Sequence, residues 1–172
     1  MRIGLDLDGT IDDFMNPYLK RFGYPKKSDS EITHNVQRIL SKDKNFWLSL
    51  PVLRTIDFIP ELYCTKRVNP KQWTRKWLIS NGFPNRPIYQ MYYQHGNKAT
   101  MIKGRVDVFV DDSISNFIKL NLSGVPCLLI DQPDNQEWGP IGRIFTLNKE
   151  EIIDAYNLLI DTGMFDNFKN LL

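Results

Sequence analysis

Imidazole and thiol groups are scarce: the 172 residues include two histidines, His34 and His95, and two cysteines, Cys64 and Cys127. That leaves no cluster with zinc or iron–sulfur spacing. The cysteines, each flanked by apolar residues in predicted strands, read as buried free thiols of a reducing compartment. No stretch approaches the ~20 apolar residues of a membrane span, and no apolar segment of signal-peptide length opens the chain. A cytoplasmic protein with no membrane partner is therefore expected. Neither sign of charge dominates, since the net charge is +2, and nothing global demands a nucleic acid or a lipid surface. Repeats and low-complexity tracts are also missing. What remains, 42% apolar and 24% charged residues, is an ordinary globule with room for one hydrophobic core and a modest insertion.

The most informative stretch is Ile3-Gly4-Leu5-Asp6-Leu7-Asp8-Gly9, closed by Thr10. It reads as a short strand that alternates apolar and acidic side chains and stops at a glycine, with Leu5 and Leu7 on one face and Asp6 and Asp8 on the other. Two carboxylates then sit at the carboxyl end of a core strand, where open α/β sheets place their ligands. Carboxylates so close together call for a hard cation, or for a proton shared between unequal partners.

Beyond Thr10 the pattern becomes helical. Tyr18, Leu19 and Phe22 predict a helix ending near Gly23, and Ile32, Val36, Ile39 and Leu40 suit a second amphipathic helix. The aromatic segment 45–51 matches no strand template. Residues 14–52 are read as a small helical insertion lying over the carboxylates, and residues 1–13 and 53–172 as the core. A second strand is predicted over 61–65, with Pro60 at its beginning. Asn69 is expected to cap a helix with Pro70 at its first position, anchored in the core by Trp73 and Trp77. Further strands are predicted over 88–93, 106–110 and 125–130, with an edge strand within 141–147. Gly96-Asn97-Lys98 is expected to turn into a short helix through Met101 and Ile102 that ends at Gly104, and further helices are expected over 115–122 and 150–160. Strand and helix in succession predict an α/β fold, a doubly wound and mostly parallel sheet with helices on both faces.

In such a sheet Asp6, Asp8, Thr65, Asp111 and Asp112 share one rim. Asp6, Asp111 and Asp112 would repel one another unless a cation sat among them, and hard oxygen donors without imidazole or thiolate point to Mg2+. A carboxylate can attack phosphorus to form an acyl phosphate, and a second one can protonate the leaving alcohol. Lys98 can offset charge on the phosphoryl oxygens and Thr65 can donate a hydrogen bond to them. Taken singly these residues have plainer readings as turns, strand ends and a surface lysine; their conjunction in this order carries the argument. Lys66, Arg67, Lys71, Arg75 and Lys76 form an acid-free basic run. It reads first as a solvated helix face.

Asp6-Leu7-Asp8-Gly9-Thr10 resembles the first motif of the haloacid dehalogenase-like (HAD) hydrolases, Thr65 the second, Lys98 the third and Asp111-Asp112 the fourth. Lys103 competes for the third motif, with Lys98 preferred. The resemblance implies a Rossmann-like HAD core and an aspartyl-phosphate phosphatase. Asp6 would be nucleophile and metal ligand, and Asp8 general acid and then base, with its carbonyl on the metal. Asp111 would bind magnesium, Asp112 would support the metal shell, and Lys98 and Thr65 would hold the phosphoryl group.

The small insertion after the first motif is similar to the cap of 5′(3′)-deoxyribonucleotidases in this superfamily. Gly124 to Asn135, with Arg143, resembles the matching region of small phage and bacterial nucleotidase-like members. A nucleoside or deoxynucleoside monophosphate is the implied substrate, with Thr10, Phe46, Trp47, Lys66 and Arg67 as substrate contacts. Phe46 and Trp47 could stack on the base, or could pack the insertion's own core. The alternatives are a phosphorylated nucleic-acid end, a sugar phosphate, or a noncatalytic phosphorylatable signalling domain. These motifs leave the base, the sugar, the phosphate position and the oligomeric state open.

Overall fold

Ile3-Gly4-Leu5 is an apolar run with a glycine in its middle, the composition of a strand buried on both faces. In the computed structural model, which describes residues 1–23, 36–91 and 97–163, it forms the central strand β1 (Ile3–Leu5). Its neighbours are β2 (Leu62–Lys66) on one side and β4 (Val108–Asp111) on the other. With β3 (Ile88–Met91), β5 (Cys127–Ile130) and β6 (Arg143–Ile144) they complete a six-stranded sheet in the order 3-2-1-4-5-6. Every pairing is parallel. This is the doubly wound α/β architecture expected from the alternation of elements.

The strand order reverses between β1 and β4, the place where doubly wound sheets open a crevice at their carboxyl edge. Leu5 pairs with Val110 there, so the residues that follow, Asp6 and Asp111, emerge side by side. The first strand is shorter than its alternating pattern implied. After Leu5 the chain turns, and the Leu7 carbonyl accepts from the amides of Thr10, Ile11 and Asp12. Gly9 makes that turn possible at φ +77°, where a Cβ would also lie 2.0 Å from Asp112 Oδ2.

The segment after the turn carries α1 (Met15–Phe22), α2 (described over 36–40) and α3 (Lys44–Leu48). The α3 helix was not foreseen; Asp43 nucleates it by accepting the Phe46 amide at 2.9 Å. Ile32 and His34 lie outside the described residues, as does His95. The excursion leaves and returns at one point: Asp13 N donates to Pro51 O and Leu53 N to Ile11 O, each at 2.9 Å. Asp12 and Val52 form an antiparallel bridge between these bonds.

Helices α4 (Lys71–Ser80), α5 (Lys98–Ile102), α6 (Ile114–Leu122) and α7 (Lys149–Asp161) cover the sheet. Pro70, not Asn69, is the N-cap of α4. The Asn69 amide instead donates to Thr74 Oγ1 at 2.9 Å. Trp77 is buried, stacks on Phe83 and donates to Leu50 O at 2.9 Å, tying α4 to the end of the insertion. Cys64 and Cys127 are buried free thiols. No helix among the described residues is long and apolar enough to cross a membrane.

Candidate active site

Two sets of charged side chains meet at the crevice, each a cation held between two carboxylates. The first serves Asp6. Lys98 opens α5, whose N-terminus is held by Asn97 accepting the Ala99 amide at 2.9 Å. Its ammonium is 2.7 Å from Asp6 Oδ2 and 2.6 Å from Asp111 Oδ2. Asp111 Oδ1 accepts from the Ser113 amide at 3.0 Å and from Asn116 Nδ2 at 3.1 Å, so its carboxylate is fixed on both oxygens. Lys103, the other sequence candidate, is exposed and donates to Ser123 O at 2.8 Å.

Asp6, Asp111 and Asp112 each offer one carboxylate oxygen within 4.8 Å of the others, a cluster capable of holding a divalent cation. Asp6 Oδ1 is buried and has no hydrogen-bond partner among the described residues. A buried anionic oxygen left bare is costly unless a cation completes it. The donors are all oxygen, which suits a hard ion such as magnesium. Burial pushes the Asp6 carboxyl up to about 7; Lys98 works against that, while Asp111 and Asp8 add to it. Burial, then Asp111 and Asp6, raise Asp112 well above the usual carboxylate range. Burial would lower Lys98, but Asp111 and Asp6 more than offset it and keep the ammonium charged.

The second set serves Asp8. Arg67, one residue beyond β2, sends Nε to both Asp8 oxygens at 3.0 Å and Nη2 to Asp8 Oδ1 at 2.7 Å. The same Nη2 reaches Asp12 Oδ2. Thr65, fully buried, donates its hydroxyl to Asp8 Oδ2 at 3.2 Å. The sequence implies Arg67 as a substrate contact and Thr65 on phosphate; in the structure both hydrogen-bond to Asp8.

Asp6, Asp8, Lys66, Arg67, Lys98 and Asp112 lie on the floor and wall of a cavity of about 700 Å³. Of its cations, Lys98 and Arg67 are each matched by two carboxylates. Lys66 has instead a neutral partner, Asn116 Oδ1 at 3.3 Å. Burial, followed by the charge of Lys98, lowers the Lys66 pKa. The insertion supplies the opposite wall with Phe14, Tyr18, Leu40 and Trp47. Trp47 stacks on Phe14 at 5.6 Å, donates to Leu40 O at 2.8 Å, and has the Arg67 guanidinium 5.2 Å from its ring centre. Phe46 is buried against Phe14 and Trp47 and does not line the cavity. Thr10 is fully buried away from the lining. Lys71 and Lys76 are exposed on α4, the solvated face expected of the basic run.

Sequence reasoning missed several contributors. Ser113 and Asn116 carry a detectable signal, an N-cap pattern opening α6. Tyr18 reads from the sequence only as a helix-forming residue, and Phe14 carries no signal there. Arg54 donates to the carbonyls of Gly9, Thr10 and Asp131, and Gln132 to Gly9 O, bracing the turn that carries the first motif. Nothing local in the sequence marks Arg54, Gln132 or Asp12.

Comparison with family models and with curated proteins finds no match. One similar solved structure is a HAD-superfamily hydrolase of subfamily IA, variant 1, from Geobacter sulfurreducens. It is 13% identical, the alignment covers 94% of this chain and 98% of that one, and the TM-score is 0.48.

Proposed function

We propose that the chain is a magnesium-dependent phosphomonoesterase that works through an aspartyl phosphate, with a nucleoside or deoxynucleoside monophosphate as its substrate. The observation that carries this reading is Asp6. It is a buried carboxylate with one oxygen on Lys98 and the other bare, beside Asp111 and Asp112, at the floor of a cavity. A lysine on one oxygen fixes the plane of the carboxylate from which the attack would come.

An oxygen of the Asp6 carboxylate would form a bond to phosphorus as the ester P–O bond breaks, and the departing alkoxide would take a proton from Asp8. A water giving its proton back to Asp8 would then attack the phosphorus of the acyl phosphate, releasing phosphate and restoring Asp6. Asp6, Asp111, Asp112 and the Asp8 carbonyl are the groups that would hold magnesium, which when bound neutralises charge on the phosphoryl oxygens. Lys66, the cavity cation with a neutral partner, is suited to meet the phosphate dianion.

The size and lining of the cavity support the mononucleotide. About 700 Å³ falls within the range of small-molecule sites. The wall of Phe14, Tyr18 and Trp47 offers aromatic surface on which a base can rest, an interaction of roughly 1–3 kcal/mol. Phosphate release from a panel of mononucleotides, a sugar phosphate and end-phosphorylated oligonucleotides tests the reading. Turnover should require magnesium, should be fastest on a mononucleotide, and should vanish in Asp6→Asn. Activity persisting in that variant rules out the covalent route, and preference for the oligonucleotide rules out the substrate.

A further inference from the structure

Arg67 and Asp12 have no place in the reaction just described, yet they are among the most deeply buried charged residues of the chain, at 1% and 0% exposure. Burying such a pair is no dependable source of stability, because the desolvation of both ions can exceed their attraction. An ionic group kept in the interior therefore calls for another use. The partners of the guanidinium name one. Two of its nitrogens make three hydrogen bonds to Asp8, and one of them is shared with Asp12. Asp12 Oδ2 has Arg67 as its partner, and Asp12 Oδ1 has none among the described residues. Asp12 itself is fixed through its backbone, donating to Leu7 O and accepting from Gly9 N. Trp47 covers the guanidinium from the insertion side.

We infer that Arg67 and Asp12 are positioning residues for Asp8: Asp12 anchors the guanidinium, and the rigid fork of Arg67 sets the plane and direction of the Asp8 carboxylate. The inference rests on the acid–base role of Asp8 proposed above. It is the counterpart of the Asp6–Lys98–Asp111 arrangement, so that nucleophile and proton carrier are each oriented by a separate buried cation. It also gives Arg67 a role other than substrate binding. Two of its three nitrogens, Nε and Nη2, are committed to the carboxylates of Asp8 and Asp12.

The test separates orientation from binding. In Asp12→Asn, and in Arg67→Lys, which keeps the charge but loses the fork, kcat should fall by about 10- to 100-fold, as for a misplaced catalytic group. KM and the magnesium concentration for half-maximal rate should stay within about twofold, since neither substrate nor metal ligands have changed. A loss confined to KM overturns the inference in favour of substrate binding, and kcat within twofold of wild type in Asp12→Asn overturns it outright. If wild-type protein turns over none of the phosphomonoesters, the proposed function fails, and the inference is then judged from a crystal structure of Asp12→Asn. An Asp8 carboxylate turned out of its wild-type plane supports positioning, and an unmoved one refutes it. Arg67→Lys serves the same structural comparison if Asp12→Asn does not fold.

Discussion

Replacing Lys98 by methionine keeps most of the side-chain volume and removes the charge that Asp6 and Asp111 share at 2.7 and 2.6 Å. All three groups are buried, so the variant leaves two carboxylates, with Asp112 beside them, facing one another without a cation. Removing one partner of a buried ion pair costs about 3–5 kcal/mol. For a chain of this length each kcal/mol moves the melting temperature by roughly 2–4 °C, so a fall on the order of 6–20 °C is expected at pH 8 in chelator. The defect should depend on pH in a definite direction. Burial raises the wild-type Asp6 carboxyl from 3.8 to about 7 against the opposing charge of Lys98. The folded chain thus holds a proton that the unfolded chain releases, and the stability this adds is fully present below the unfolded pKa and lost as pH rises through about 7. Wild type in chelator should accordingly melt lower at pH 8 than at pH 6. Without Lys98 the carboxylates hold protons more tightly, and the difference from wild type should widen as pH rises. Magnesium, as a replacement cation, should restore part of the loss. Thermal melts by circular dichroism at pH 6, 7 and 8, with and without magnesium, measure all of this. A loss below about 1 kcal/mol at pH 8, the scale of a surface pair, or one that does not vary with pH, would refute the reasoning.

Gly9→Ala places a Cβ 2.0 Å from Asp112 Oδ2 on a backbone at φ +77°; titration calorimetry should find magnesium affinity reduced at least about tenfold by displacement of that carboxylate, with a stability loss of about 1–2 kcal/mol. Trp47→Ala should cost about 3–5 kcal/mol in denaturant melts, because the ring is buried between Phe14 and Phe46 and its indole donates to Leu40 O. Tyr18→Ala, on the same cavity wall but only half-buried, should raise KM for a mononucleotide while changing stability far less. Both thiols should resist a thiol reagent in the native state, since burial pushes Cys64 up to about 12 and Cys127 well above its usual range. Both should react once the chain is unfolded, and fast native labelling of either would contradict its placement in the core.

The sheet was legible because strands betray themselves locally, through short apolar runs, alternation and glycine punctuation. Asp6 and Asp111 could be brought together because each falls at a strand end, and topology carries such ends to one rim, where Lys98 arrives as the first residue of α5. The burial of Arg67 was not legible, for the opposite reason. A sequence displays charge but not burial, and what buries this arginine is Asp12, 55 residues earlier in a turn that reads as polar surface. Asn69 shows the same gap on a smaller scale: Asn-Pro before a helix is a sound capping signal, yet Thr74 and the packing of α4 draw the amide elsewhere. The aromatic wall was anticipated in kind but not in membership. Phe46 and Trp47 are adjacent in a helix and point in different directions, so only one of them reaches the cavity.

The paired segments at residues 11–13 and 51–53 give the lid of the cavity a single doorway in the sheet. A stretch whose ends are already neighbours can grow, shrink or be exchanged at little entropic penalty, about 0.6 kcal/mol for each doubling of its length. The lining contributed by that stretch could therefore be rewritten while Asp6 and Asp111 stay where the strands hold them. Asp12 sets the limit on that freedom, because any graft disturbing the doorway also disturbs the arginine that Asp8 leans on.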